Sequence, residues 1–317
     1  TPHLGEVRAV ASHPLDPGLA ATASETGEAF LFELGGSSRS DGAPAQPAKR
    51  LRGHAASCSS VAWSPHDRQQ LLTGGSDGCL CLWDAEAPSA GAVPAEKPLW
   101  KIQRAHGGGG VGSAAFHPQR RGLVASVGLD GRLCTWDSRD RAAPSTASDA
   151  HGGGASALAF SPDASATAGV SLVTGGRDGL VSLWDLRRQA DALHKFKPWV
   201  TDKKIPWVEK NALDHGIVSL CWFEDRGRVL LVSAGADRCA RVWDPSRIGA
   251  TQDAKSNFPP ELAFIHAAHT APVGALGALG EQRPGGSAPA EGHLVASGDG
   301  SGCLHIWQVS ASVLLEY

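Results

Sequence analysis

"GGSDGCLCLWD", residues 74–84, decides the fold, because the chain writes it three more times. "SVGLDGRLCTWD" fills 126–137, "TGGRDGLVSLWD" 174–185 and "SAGADRCARVWD" 233–244. In each copy an Asp lies six residues before a Trp: Asp77 and Trp83, Asp130 and Trp136, Asp178 and Trp184, Asp237 and Trp243. Phe32, in "GEAFLFEL", and Trp307 extend the series at both ends. The intervals from Phe32 to Trp307 are 51, 53, 48, 59 and 64 residues. A His opens every copy: His3, His54, His106, His151, His215 and His269. Recurrence at this period marks an array of one supersecondary unit.

Short apolar runs such as "CLCLW" and "LVSLW" are rich in β-formers and bounded by Gly and Asp, so they read as strands. "SDG" and "RDG" supply the positive-φ residues of tight hairpins. No stretch carries a long 3.6-residue apolar period with caps, so helices are expected to be few. About four strands per unit make a blade. One blade cannot bury both faces alone, so blades stack around an axis. The expectation is all-β: a single β-propeller domain over 1–317 with six visible repeats. Seven blades are expected, with one incomplete or upstream of Thr1.

The 317 residues are 42% apolar, ample for a large core. A net charge of -3 argues against direct nucleic-acid binding through phosphates. No run of 18 apolar residues offers a membrane span. The opening "TPHLGEV" is not a signal peptide. Seven Cys, an odd count with most in expected strands and no Cys-x-x-Cys pair, read as reduced buried thiols in an intracellular compartment. No cofactor, metal site or small-molecule substrate is expected. Met is absent, Tyr occurs once, and Gly occurs 39 times, a pattern of GC-rich coding or of residues lost from the chain.

The opening His, the Asp six before the Trp, and the closing Trp-Asp resemble the WD-repeat family over nearly the whole chain. That resemblance implies a hydrogen-bonded network in each blade. Its expected members are His54, Asp77, Trp83; His106, Asp130, Trp136; His151, Asp178, Trp184; and His215, Asp237, Trp243. On paper such a network mimics a hydrolase triad, but recurrence in every blade makes it structural and the chain non-enzymatic. The last blade departs from the pattern: Ser301 stands six before Trp307, and Asp299 is displaced by two.

Three stretches narrow the resemblance: "KRLRGHAASCSSVAWSP" (49–65), "TWDSRDRAAPSTASDAH" (135–151) and "VWDPSRIGATQDAKSNFPPELAFIHAAHTAPV" (242–273). They look like the retinoblastoma-binding, MSI-type histone-binding subfamily. The resemblance implies a nuclear, non-enzymatic scaffold whose partners are core histones and chromatin-complex subunits. A histone helix would lie in a groove at Phe258, Pro259, Pro260, Glu261 and Leu262. The acidic run before Pro-Pro is missing, which weakens the electrostatic grip on a basic helix. The subfamily's acidic top face, which takes a basic tail, maps here onto Glu6, Arg8, Ser57, Ser59 and Ser156. Only Glu6 among them is acidic, so tail binding is expected to be weak or absent.

Other motifs carry other readings. "WDSR" and "WDLR" place Arg139 and Arg187 in the Trp-Asp-x-Arg pattern of substrate receptors of cullin-RING ubiquitin ligases, with a cullin-RING adaptor as the partner. "HGGGGVGS" from His106 contains a Gly-x-Gly-x-x-Gly pattern but precedes a strand, so it reads as an inter-blade loop. The segment 195–211 holds Trp199 and Trp207 among lysines, either packed on the propeller wall or docking a partner. Segments 36–49, 86–97 and 283–292 read as flexible insertions.

Overall fold

A computed structural model describes residues 3–34, 46–85, 95–139, 144–162, 171–198, 216–225, 227–252, 256, 258–279 and 294–309. The chain divides into two compact units, Thr1–Asp149 and Ala150–Tyr317.

The first unit holds three antiparallel sheets. β1 (Val7–Ser12), β2 (Leu19–Ser24), β3 (Glu28–Glu33) and β4 (Lys49–Arg52) form the first. The second is β5 (Cys58–Trp63), β6 (Gln70–Gly75), β7 (Leu80–Asp84) and β9 (Trp100–Ile102). Between β7 and β9 in sequence, β8 (Ala95–Glu96) pairs in parallel with the outer edge of β4. The third is β10 (Val111–Phe116), β11 (Leu123–Gly128), β12 (Arg132–Asp137) and β13 (Thr146–Asp149).

The second unit repeats the plan. β14 (Ala155–Phe160), β15 (Ser171–Gly176), β16 (Val181–Asp185) and β17 (His194–Phe196) form one sheet. β18 (Ile217–Asp225), β19 (Arg228–Gly235), β20 (Ala240–Trp243) and β21 (Leu262–His266) form the next. β22 (Val273–Leu279), β23 (Leu294–Asp299) and β24 (Leu304–Gln308) form the last. The fold class is all-β, of the β-propeller kind, with six blade sheets. No seventh sheet stands among the described residues. The helical structure described is one 3₁₀ turn, Pro245–Arg247.

Successive sheets sandwich apolar side chains, so central strands bury both faces and their sequences do not alternate. On β6, Leu71 joins a core with Leu31, Leu51 and Trp83, while neighbouring Leu72 joins another with Val111, Val124 and Trp136. In the second unit, Leu231 and Trp243 pack with Val173 and Phe196, while Leu230 and Val242 pack with Val273 and Val295.

Each Trp is also tethered. The Trp83 indole N–H donates to Thr73 Oγ1 at 2.8 Å. Ionised Asp77 can only accept, so His54 donates its Nδ1–H to it at 3.0 Å. Neutral His54 then keeps a lone pair on Nε2, and the Thr73 hydroxyl donates to it at 2.8 Å. The same chain runs Trp136–Ser126–His106–Asp130, at 2.8, 2.8 and 2.9 Å. It runs again as Trp184–Thr174–His151–Asp178, at 2.9, 2.9 and 3.0 Å. Cysteines lie alongside: Cys58, Cys79, Cys81, Cys134 and Cys239 are buried free thiols, whereas Cys221 is partly and Cys303 fully exposed. Burial pushes the Cys58 thiol up to about 12 and that of Cys134 to about 11.

The outer blades vary the network. His3 meets Thr22 Oγ1 at 2.7 Å, but the first blade has Phe32 in place of the Trp and Thr26 in place of the Asp. In the fifth, Trp243 donates to Ser233 at 2.8 Å, and Asp237 pairs with buried Arg241 at 2.6 Å. His215 lies outside the described residues. In the last, Asp299 does reach His269, at 3.1 Å, and Ser301 donates its hydroxyl to that carboxylate at 2.6 Å. Ser297 completes the set, between His269 at 2.7 Å and Trp307 at 3.0 Å.

The glycines two before each Asp follow from this packing. A Cβ on Gly128 would stand 2.3 Å from the His106 ring, and one on Gly75 or Gly176 at 2.3 Å from His54 or His151. The residue after each Asp turns with positive φ: Gly78, Gly131, Gly179 and, uniquely among the four, the non-glycine Arg238 at 66°.

Gly128→Ala is expected to cost about 2–4 kcal/mol, because His106 cannot yield without losing bonds on both ring nitrogens. Gly108→Ala, with open space around its Cβ position, is the matched control. Urea unfolding of the two variants gives the comparison.

Acid is expected to destabilise the fold. Burial lowers the pKa of His54 and of His106, against the pull of their Asp partners. Burial also lowers that of His117, with Arg120 adding to it, to about 4. A folded pKa below the ordinary 6.5 means that the unfolded chain binds more protons. That stability is present above about pH 6.5 and is lost as pH falls toward the folded values. Asp77 acts in the same direction at lower pH. Burial opposes its ionisation, but the Ala55 N–H and His54 outweigh it and hold the carboxyl at about 2. Urea midpoints should fall from pH 7 to pH 5 and again toward pH 3.

Candidate functional site

Three surfaces carry the residues singled out in the sequence. The first is a cavity of about 450 Å3 beside β21, the outer edge strand of its sheet. Asp244 caps the 3₁₀ turn by accepting the Ser246 N–H, and the chain then runs out from Arg247 into the Pro-Pro loop. Gln252 ties that loop by donating to the Ser256 carbonyl at 3.1 Å and the Phe258 carbonyl at 2.9 Å. The Leu262 N–H returns to the Pro259 carbonyl at 3.0 Å, which aims the chain into β21. Phe258, Pro259, Pro260 and Leu262 all line the cavity, with Phe264 and Arg247.

Glu261 does not join them. It is buried and accepts from His194 Nε2 at 3.0 Å, tying the start of β21 to β17. Among the described residues the lining therefore presents apolar side chains, hydroxyls and one guanidinium, and no carboxylate. Arg247, Ala263, Phe264 and Ile265 were not anticipated as lining residues. The "LAFIH" run that follows Pro-Pro is the signal that could have found three of them, since an edge strand exposes its outer flank.

The second is the set of first strands, one in each sheet. Every one begins with a bulge, which leaves Arg8, Ser59, Gly112, Ser156, Val218 and Gly274 as the extra residues. Ser59 shares its single hydroxyl proton between the Gly74 carbonyl at 3.0 Å and Val111 of the next sheet at 2.6 Å. Ser156 donates likewise to the Ile217 carbonyl. These hydroxyls latch adjacent sheets, and Gly74 and Gly175 leave room for Val111 and Ile217 there. Ser57 contributes its carbonyl, which accepts the Ser76 N–H at 2.8 Å. Glu6 is exposed and paired with Arg8 at 3.2 Å, and Arg8 also meets Glu25 at 3.5 Å.

The third is the pair of Trp-Asp-x-Arg motifs, one in each unit. Arg139 forks onto Asp137 with bonds of 2.8 and 2.6 Å, and Arg187 onto Asp185 at 3.0 and 2.7 Å. The Arg139 fork brings the Asp137 carboxyl down to about 2, and Arg187 lowers that of Asp185. Both guanidinium groups remain solvent-facing, aligned rather than buried. The Gly-rich segment after His106 turns with positive φ at Gly107 and Gly110 before entering β10, as expected of an inter-blade loop. Trp199 and Trp207 lie outside the described residues, as does most of each expected insertion.

The His–Asp–Thr arrangement has the marks of a structural network rather than of a single reactive site. It recurs in several sheets, its hydroxyl already accepts an indole N–H, and its His is buried. The arrangement holds a β-sheet together and leaves edges and loops for partners.

The repeats match the family described as WD domain, G-beta repeat over residues 45–84, 97–137, 144–185 and 209–244. These four stretches cover half of the chain, and each ends one residue past a tethered Trp: Trp83, Trp136, Trp184 and Trp243. Propellers of this kind are typically non-enzymatic interaction scaffolds. The chain belongs to the WD-repeat family, whose domains mediate protein–protein interactions.

Proposed function

We propose that this chain is a nuclear histone-binding scaffold of chromatin assembly and modifying complexes, gripping a histone helix at the Pro-Pro cavity. The observation that carries the reading is the cavity itself: four of the five residues assigned to a helix groove line one depression on the edge of a sheet. Its apolar floor suits the i, i+3, i+4 face of an amphipathic helix. With no carboxylate among the described lining residues, the grip they offer is apolar rather than ionic. Core histones should be retained from nuclear extract by the full-length chain, and Phe258→Ala, at an exposed position, should weaken retention about tenfold or more. Absence of histones from the retained material, or full retention by the Phe258 variant, would reject the reading.

A second reading, a substrate receptor of a cullin-RING ligase, draws on the paired, solvent-facing forks of Arg139 and Arg187. In the same isolation, changing both to Ala should remove a cullin adaptor while leaving histones in place. If no adaptor co-purifies with the parent chain, this reading falls.

The histone-tail site of the subfamily is expected to be lost. Ser59 and Ser156 spend their hydroxyl protons on neighbouring sheets, and Arg8 neutralises Glu6. Micromolar binding amounts to about 8 kcal/mol, and losing three or four charge-assisted bonds of about 1.5–3 kcal/mol each removes most of it. Calorimetry at low salt with a free N-terminal histone peptide should show no measurable binding. Micromolar affinity abolished by Glu6→Ala would prove the opposite.

A further inference from the structure

Three histidines meet between the last two sheets of the second unit: His266 ending β21, His269 just after it, and His305 on β24. A ring nitrogen of each lies within 4.8 Å of one from each of the others. The three are not equivalent. His269 is committed on both nitrogens, to Asp299 and to Ser297. The other two face each other, with His266 Nε2 and His305 Nδ1 3.1 Å apart.

Both rings are held in place. His266 stacks on Trp307, with centroids 4.8 Å apart and planes 11° apart. His305 stacks on His269 at 4.1 Å and 15°. Both are half-buried, so part of each residue stays exposed to solvent. This pair lies outside the network that recurs from blade to blade. No equivalent His stands at the register of His305 on the other repeats' third strands, where Phe30, Cys81, Cys134, Ser182 and Arg241 occupy that position.

A metal with bonds of about 2.0–2.1 Å and near-tetrahedral angles needs its two nitrogens about 3.3 Å apart. The observed separation is within a few tenths of that bite. Imidazole nitrogens suit divalent late-transition ions. We propose that His266 Nε2 and His305 Nδ1 form a two-histidine site for such an ion, zinc being the probe of choice, with water filling the open positions. His269 remains in its blade network and acts as a positioning residue, the surface on which the His305 ring lies.

Binding needs little rearrangement. The two neutral rings share one N–H in their mutual hydrogen bond. The ring that holds it shifts that proton to its other nitrogen, and both facing lone pairs become ligands with no net proton released. Acid competes, because protonating either ring removes a lone pair.

The test is a calorimetric titration of zinc chloride into the chelator-treated full chain carrying Cys303→Ser, which removes the exposed thiol. One equivalent should bind with micromolar affinity. His266→Ala and His305→Ala should each weaken it tenfold or more. His66→Ala should leave it unchanged, since that ring bonds the His117 carbonyl in the other unit. Should either cluster variant fail to fold, long-range 1H–15N NMR of the parent decides. Zinc should then move the His266 and His305 ring nitrogens and spare those of His269. No binding by the parent, undiminished affinity in both folded variants, or zinc shifts confined to other histidines would overturn the proposal.

Discussion

The neutral histidine buried at the start of a blade is the constraint on which most of the local sequence depends. It needs an acceptor for Nδ1–H and a donor for Nε2, and inside a protein each unmet bond costs about 1–3 kcal/mol. Asp on the hairpin meets the first need, and Thr or Ser on the second strand meets the second. The same hydroxyl then has a lone pair left for the Trp indole of the third strand. One hydroxyl thus ties three strands and a loop of one sheet together. The flanking Gly is forced by the ring, which occupies the space a Cβ would need.

That coupling explains what could be read from the chain directly. Asp77 and Trp83 sit at a fixed spacing because a two-residue turn and a strand of set length separate them, so the repeat survives in the letters. Strand class was legible for the same reason: both faces of "CLCLW" are buried, giving runs without alternation. The last blade shows the limit. Spacing alone treats Ser301 as a lost acid, whereas geometry puts Asp299 against His269 from a position occupied by Gly in the four sheets before it. A carboxylate can reach one ring nitrogen from two backbone positions, and sequence spacing cannot distinguish them.

The surfaces were legible less evenly, for a physical reason. The Pro-Pro loop was recognisable because Pro fixes its backbone. The partners of its neighbours were not, because they come from distant strands. Glu261 looked like part of the groove until His194, 67 residues away, claimed its carboxylate. Ser59 and Ser156 were readable as non-acidic but not as latches, since their acceptors belong to the next sheet. The small polar residues there are what allow adjacent first strands to sit close, and a serine bonded to a carbonyl of the next sheet cannot also serve a ligand.

The histidine pair follows from the same asymmetry between blades. Where the third strand of the other sheets offers Phe, Cys, Ser or Arg at this register, the last offers His305, and the edge strand beside it ends in His266. Trp307 is only partly buried here, and its face stacks the His266 ring, where buried Trp243 meets a tilted Phe196 instead. The last sheet has three described strands, the third of them alternates exposed and half-buried residues, and its His305 meets His266 at the end of β21. The same strand lines the Pro-Pro cavity with Leu262 to Ile265. The two candidate surfaces of the second unit therefore rest on one edge strand, fixed in place by the Glu261 carboxylate at its start and by ring stacking at its end.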